Sequence, residues 1–175
     1  MKKLLISAAL LIAFSATKAQ INKGQWLVGG DVSFSSDKQG EAKSTSFEFS
    51  PNAGYFFMNN FAGGLRLSFT SSKQKGADEG YSTFMAAPFL RYYFLPTGQK
   101  VNILLDGSYG FGSMGGDDKQ SLSGFSFAAG PAVFLTPNTA LEFTLGYNSM
   151  KLENVDDRAN AFGVNVGFQI HLGGK

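Results

Sequence analysis

Between residues 162 and 172 the chain reads FGVNVGFQIHL, with Phe162, Val164, Val166, Phe168, Ile170 and Leu172 on one parity and Gly163, Asn165, Gly167, Gln169 and His171 on the other. A period of two places successive side chains on opposite faces of a β-strand, so this stretch cannot be an amphipathic helix. What it leaves open is which face looks inward. In a water-soluble sheet the apolar face is buried, whereas in a bilayer it meets lipid and the polar face lines the interior.

The same alternation, punctuated by turn residues, predicts eight strands at about 25–34, 45–57, 61–71, 81–94, 101–113, 122–135, 139–152 and 160–172. Three connections are short (58–60, 95–100 and 136–138), and they alternate with four longer polar ones at 35–44, 72–80, 114–121 and 153–159. An even number of strands with short and long connections at opposite ends is the plan of an up-and-down antiparallel barrel. Most charges fall in the long connections, including Asp37, Lys38, Glu41, Lys73, Asp117, Asp118, Asp156, Asp157 and Arg158. Strand interiors carry Asp31, Glu48, Arg66, Arg91, Asp106 and Glu142, all on polar parities. A solvated strand face would carry frequent Lys and Glu. Here that face is mainly Gly, Ala, Ser and Asn, which predicts that it is enclosed.

The chain opens MKKLLISAALLIAFSATKAQ, a basic start, an apolar run from Leu4 to Phe14 and small residues at Thr17 and Ala19. This is the pattern of a secretory signal peptide over residues 1–19, and the run is too short to span a bilayer as a helix. Its removal takes Lys2, Lys3 and Lys18 and leaves 12 basic residues against 13 acidic, a formal charge of −1. That balance, with no basic stripe, argues against a nucleic-acid partner. The absence of cysteine means that no disulfide framework stabilises the exported chain. The remaining 20–175 read as one domain.

Aromatic spacing decides the orientation. Trp26 and Phe34, Phe47 and Tyr55, Phe61 and Phe69, and Phe84 and Tyr92 bracket four strands at intervals of eight residues on one parity. Eight residues span about 26 Å of strand, or roughly 20 Å of height at a tilt of 35–45°, close to the apolar band between the aromatic girdles of a membrane barrel. The expectation is an all-β, eight-stranded antiparallel transmembrane barrel with Phe162 and its parity mates facing lipid. Pro51, Pro88 and Pro131 interrupt the second, fourth and sixth strands on the apolar parity and predict bulges there.

KGQWLVGGDVSFSS (23–36), SPNAGYFFMNNFAGGLRLSF (50–69) and the closing FGVNVGFQIHL resemble the small outer-membrane β-barrel domain family common in Bacteroidota, similar in architecture to the OmpX type and to the membrane domain of the OmpA type. The resemblance covers nearly all of the chain after residue 19. It implies export to the periplasm, help from periplasmic chaperones, insertion by the barrel-assembly machinery, and an outer membrane of lipid and lipopolysaccharide as surroundings. It implies a fold, not an activity.

Inside such a barrel, Asp31, Arg66 and Asp106 fall near mid-height, Arg91, Glu142 and His171 toward the periplasmic end and Glu48 toward the outside, and they are expected to form one interior charge network because isolated buried ions are costly. Leu27, Phe56, Tyr93 and Phe134 are expected to crowd the periplasmic end. Small inward residues (Gly54, Gly64, Gly110, Gly130, Gly146, Gly163, Gly167) leave gaps that water would fill. A single histidine with no inward serine beside it does not make a nucleophilic site, so no catalysis is expected. No cofactor or metal site is expected either, beyond transient Ca²⁺ or Mg²⁺ bridging from the loop carboxylates to lipopolysaccharide phosphates. Three functions are consistent with these residues: a structural or surface-interaction barrel, a narrow ion or small-solute channel, and a soluble carrier of lipocalin shape with every strand face inverted. The loop partner of the first is not identified.

Overall fold

A computed structural model describes residues 21–39, 42–74, 80–115 and 119–173. The expected signal peptide and the loop residues Glu41, Asp117 and Asp118 lie outside the described residues. The chain forms β1 (Trp26–Gln39), β2 (Ala42–Met58), β3 (Phe61–Gln74), β4 (Tyr81–Tyr93), β5 (Val101–Met114), β6 (Gln120–Thr136), β7 (Thr139–Leu152) and β8 (Arg158–Leu172). Each strand pairs antiparallel with the next, and β8 pairs with β1 to close the barrel. The closing seam pairs Trp26–Ser33 with Asn165–Leu172; beyond it Phe34–Gln39 pair only with β2 and Arg158–Val164 only with β7.

The register carried once round the barrel returns to β1 displaced by ten residues. With eight strands about 4.8 Å apart and a rise of about 3.3 Å, this stagger tilts the strands by about 40°. The interior at that strand number is filled by side chains. The short connections lie at the same end as both described termini. Asn60, in the first of them, has a positive φ of 65°, a conformation that asparagine tolerates better than most residues.

Phe162 is 82% exposed, whereas His171 and Gln169 are wholly buried. The apolar parity therefore faces outward, and the inverted, lipocalin-like arrangement is not the one this chain adopts. Several strands run past their expected outer ends: β1 reaches Gln39 instead of 34, β2 begins at Ala42 instead of 45, and β8 begins at Arg158 instead of 160. Polar composition marks solvation, not the end of backbone pairing, so the ladders continue beyond the apolar band.

The prolines do not mark bulges. The register shifts instead beside two short turns, between Phe56 and Met58 and between Phe134 and Thr136. Each proline keeps its partner on the preceding strand, Gly30 for Pro51, Leu65 for Pro88 and Ile103 for Pro131. On the other side the ladder skips the proline and the residue before it, then resumes in the same register. A missing N–H removes a bond from one neighbour without adding a residue, so a gap results in place of a bulge.

At Gly64, facing Gly54 across β2–β3, an added Cβ would strike the Ala53 carbonyl oxygen and lie 2.5 Å from the Gly54 Cα. These are backbone atoms that cannot turn aside. Gly64→Val should therefore destabilise the folded barrel by about 1–3 kcal/mol, the usual cost of overpacking, seen as a lowered urea midpoint in detergent. An unchanged midpoint would show that the two strands part freely.

Candidate functional site

The inward parities stack in three layers. The lowest is apolar: Leu27, Phe56, Tyr93, Leu104 and Phe134 are fully buried around the end that holds the termini. Ile21, also fully buried, closes this floor from below. The segment preceding β1 is pinned there by Gln25, whose Nε2 donates to the Gly173 carbonyl (2.7 Å) and whose Oε1 accepts from the Asn22 backbone N–H (2.8 Å).

Above the floor runs a chain of ion pairs. Arg66 donates from Nη1 and Nη2 to both oxygens of Asp106 at 3.0 Å, and its Nε lies 3.7 Å from Asp31. Asp106 also accepts from Arg91 Nε at 2.9 Å. Arg91 then reaches Glu142 through Nη1 (2.8 and 3.1 Å), and the Tyr93 hydroxyl donates to Glu142 at 2.8 Å. Strand geometry explains the arrangement. Phe89, Arg91 and Tyr93 project inward from alternate positions of β4, Asp106 is the cross-strand partner of Arg91, and Glu142 answers from β7. The Phe89 ring lies against both guanidiniums, 5.1 Å from Arg66 and 5.7 Å from Arg91. Asp31 occupies the space over Gly167, where a Cβ would meet its carboxylate.

The third layer is hydroxyl-rich. Ser50 bonds Ser68 at 2.7 Å and Ser108 bonds Ser126 at 2.7 Å. These line a cavity of about 360 Å³ that rests on the ion-pair chain. Of the seven inward glycines expected to leave gaps, only Gly163, which lines this cavity, has nothing within 4 Å of an added Cβ; at Gly54, Gly64, Gly110, Gly130, Gly146 and Gly167 a neighbouring strand or side chain already fills the space.

Five of the seven residues expected to form one network, Asp31, Arg66, Arg91, Asp106 and Glu142, are joined by these contacts. Glu48 and His171 are not. Glu48 stands higher, accepting from the Ser50 (2.6 Å) and Thr70 (3.4 Å) hydroxyls without an ion pair among the described residues. His171 lies in the floor, its ring 5.4 Å from Phe134, 5.6 Å from Phe56 and 6.1 Å from Tyr93. Its backbone N–H donates to Asn138, but neither ring nitrogen bonds a described protein group. The imidazole is therefore packed among three aromatic rings and stands outside the ion-pair chain.

On the outside, Trp26, Phe34, Phe47, Tyr55, Phe69, Phe84 and Tyr92 are exposed and Phe61 is half-buried. Trp26 packs edge-on against Tyr55 and Phe61 against Tyr92 near the end with short turns, while Phe69 meets Phe84 near the other. The exposed Phe162 packs on Tyr147 in that second ring. Between the rings the outward side chains are aliphatic or aromatic, among them Val32, Leu65, Val164 and Val166. Two aromatic rings bounding an exposed apolar band are the surface of a barrel solvated by lipid.

A family model described as "Outer membrane protein beta-barrel domain" matches residues 5–169. The chain belongs to this family. Among solved structures it is similar to Neisserial surface protein A (NspA), at 18% identity and a TM-score of 0.65 over 85% of this chain and 99% of that one. It is also similar to the outer membrane protein OprG from Pseudomonas aeruginosa, at 13% identity and a TM-score of 0.52 over 86% and 94%. The outer membrane enzyme PagL matches at 12% identity and a TM-score of 0.49, over 82% of this chain and 98% of that one. No curated protein matches by sequence. At these identities the solved structures speak to the fold alone. For an outer membrane barrel the short turns belong to the periplasmic side, which puts the apolar floor there and the hydroxyl-lined cavity toward the cell exterior.

Sequence reasoning missed three parts of the interior. Ile21 precedes the first expected strand, where alternation carries no information, and Gln25 opens that strand on the parity of Leu27 with no signal for its partners Asn22 and Gly173. Tyr93 was legible as a floor residue but not as a donor to Glu142; its place two positions after Arg91 on the inward parity was the available signal.

Proposed function

We propose that this outer membrane barrel serves a structural and surface-interaction role, with no catalysis and no free diffusion through its interior. One observation carries the reading: beneath the outer cavity the interior is occupied by the Arg66–Asp106–Arg91–Glu142 chain and then by the fully buried floor of Leu27, Phe56, Tyr93 and Phe134. The polar outer connections are then the surface that meets partners, and lipid and lipopolysaccharide surround the barrel. Export by the segment 1–19, escort by periplasmic chaperones and insertion by the barrel-assembly machinery complete the proposal. His171, encased in aromatic rings and apart from Glu142, supports the non-enzymatic reading.

A narrow ion channel is the second reading, favoured by the outer cavity that descends to the ion pairs. Planar-bilayer recording separates the two. The structural reading expects a silent membrane with both the wild-type protein and Arg66→Ala, because removing Arg66 leaves the floor in place. Steady conductance that changes in Arg66→Ala would transfer the function to the channel.

A further inference from the structure

The outermost cross-strand pair of β7 and β8 is Lys151 opposite Arg158, two cations on the lipid-facing parity. Like charges directly opposite each other repel, so such a pair requires a reason. The turn between the strands holds Glu153, Asp156 and Asp157, yet none of them pairs with either cation: all four ion pairs among the described residues lie inside the barrel.

Arg158 is held in place. Its Nε donates to Ser149 Oγ at 2.9 Å, its Nη2 donates to the Ser149 carbonyl at 3.1 Å, and its guanidinium lies 5.0 Å from the centre of the Phe125 ring. Ser149 is only 1% exposed although its parity faces outward. Nη1 makes no hydrogen bond within the described protein, and Arg158 is exposed, so its pair of N–H donors is open to a ligand at the strand position opposite Lys151. Ser123, the partner of Lys151 on β6, adds a hydroxyl to the same patch. Asn160, lying opposite Ser149, is fixed by the Tyr147 hydroxyl at 3.0 Å.

Depth identifies the ligand. Lys151 and Arg158 each stand four residues outward of the girdle pair Tyr147 and Phe162, which is about 13 Å along the strand, or about 10 Å of height after tilt. The aromatic rings lie at the edge of the acyl region, so the cations reach the headgroup layer of the outer leaflet. A fixed guanidinium beside an ammonium matches a phosphate, which takes paired N–H donors from arginine and a point charge from lysine.

We propose that Lys151 and Arg158, supported by Ser149 and Phe125, form a binding site for a phosphate of the outer leaflet's phosphorylated glycolipid, with acyl chains lying against Phe125, Tyr147 and Phe162. This rests on the outer-membrane placement and names residues that would hold the surrounding lipid.

The test is native mass spectrometry of the folded full barrel released from micelles doped with lipid A, in bisphosphorylated or dephosphorylated form. The wild-type protein should retain the bisphosphorylated form at least about tenfold better than the dephosphorylated form, and the Lys151→Ala, Arg158→Ala double variant should lose that preference. Arg158→Lys should keep part of it. Equal retention of the two lipids by the wild type, or an unaltered preference in the double variant, overturns the site. Full displacement of lipid A by millimolar inorganic phosphate overturns the lipid assignment in favour of a free-anion site. Gel mobility of unheated against boiled samples controls for folding. If the double variant lacks the heat shift, Lys151→Gln and Arg158→Gln replace it singly. Loss of the shift in the wild type would strike the membrane placement itself, whereas a shifted barrel without lipid preference strikes only this site.

Discussion

Arg91→Met should destabilise the folded barrel by about 3–5 kcal/mol, the scale for removing one partner of a buried ion pair. Arg91, on β4, is 2% exposed and donates to two carboxylates, Asp106 on the neighbouring β5 and Glu142 on β7 across the interior. Methionine fills most of the volume, so packing changes little. The loss is electrostatic: Glu142 keeps only the Tyr93 hydroxyl, and Asp106 keeps only Arg66. Arg66→Met should cost less. Both arginines line the outer cavity, but the Arg66 side chain is 12% exposed against 2% for Arg91, so water replaces more of what Arg66 supplied. Adding Glu142→Gln to Arg91→Met should recover part of the loss, because a neutral amide needs no counter-charge. Urea titration of the barrel in detergent, unheated gel mobility reporting the folded fraction, measures all four proteins. If Arg91→Met and Arg66→Met share one midpoint, or if Glu142→Gln restores nothing to Arg91→Met, the pair is not what holds the centre together.

The outward and inward faces were legible in the sequence because membrane barrels leave both parities with a strict composition. In 162–172 every second residue is apolar and none of the intervening ones is, so a single register fits. The number and order of the strands followed from the same alternation, and Trp26, Tyr55, Phe69 and Phe84 marked the limits of the apolar band. Strand ends were not legible, since residues such as Gln39 and Arg158 pair through backbone groups that composition does not report. Within the interior, parity and height assign a residue to a layer but not to a partner. Glu48 and His171 share parity with the ion pairs, yet Glu48 lies beside serine and threonine, and His171 meets three rings from different strands. Which side chain fills which gap depends on the ten-residue stagger. That stagger is a property of the closed sheet and of no strand alone. The three prolines show the same limit: a lost N–H can be met by a bulge or by a gap, and only the neighbouring strand decides.

Val166→Arg should destabilise the membrane-inserted barrel by about 2–4 kcal/mol, the cost of a cation on the lipid face at the bilayer midplane. Val166 pairs with Val32 on β1 and Phe143 on β7, all three exposed, and lies four residues from the girdle residue Phe162. The strand rise and tilt place it about midway between the two aromatic rings, where an arginine side chain has the farthest to reach to either interface. Position 164, two residues nearer the outer ring, offers a shorter path, so Val164→Arg should cost less than Val166→Arg. Asn165 lies between them on the opposite parity and lines the outer cavity, so Asn165→Ser should be close to neutral. The ordering Val166→Arg, Val164→Arg, Asn165→Ser comes from alternation and depth together. Reversible unfolding in lipid vesicles, followed by Trp26 fluorescence, measures it. Equal costs at 164 and 166 would show that the barrel sits at a different depth, and a costly Asn165→Ser beside a tolerated Val166→Arg would reverse the faces of β8.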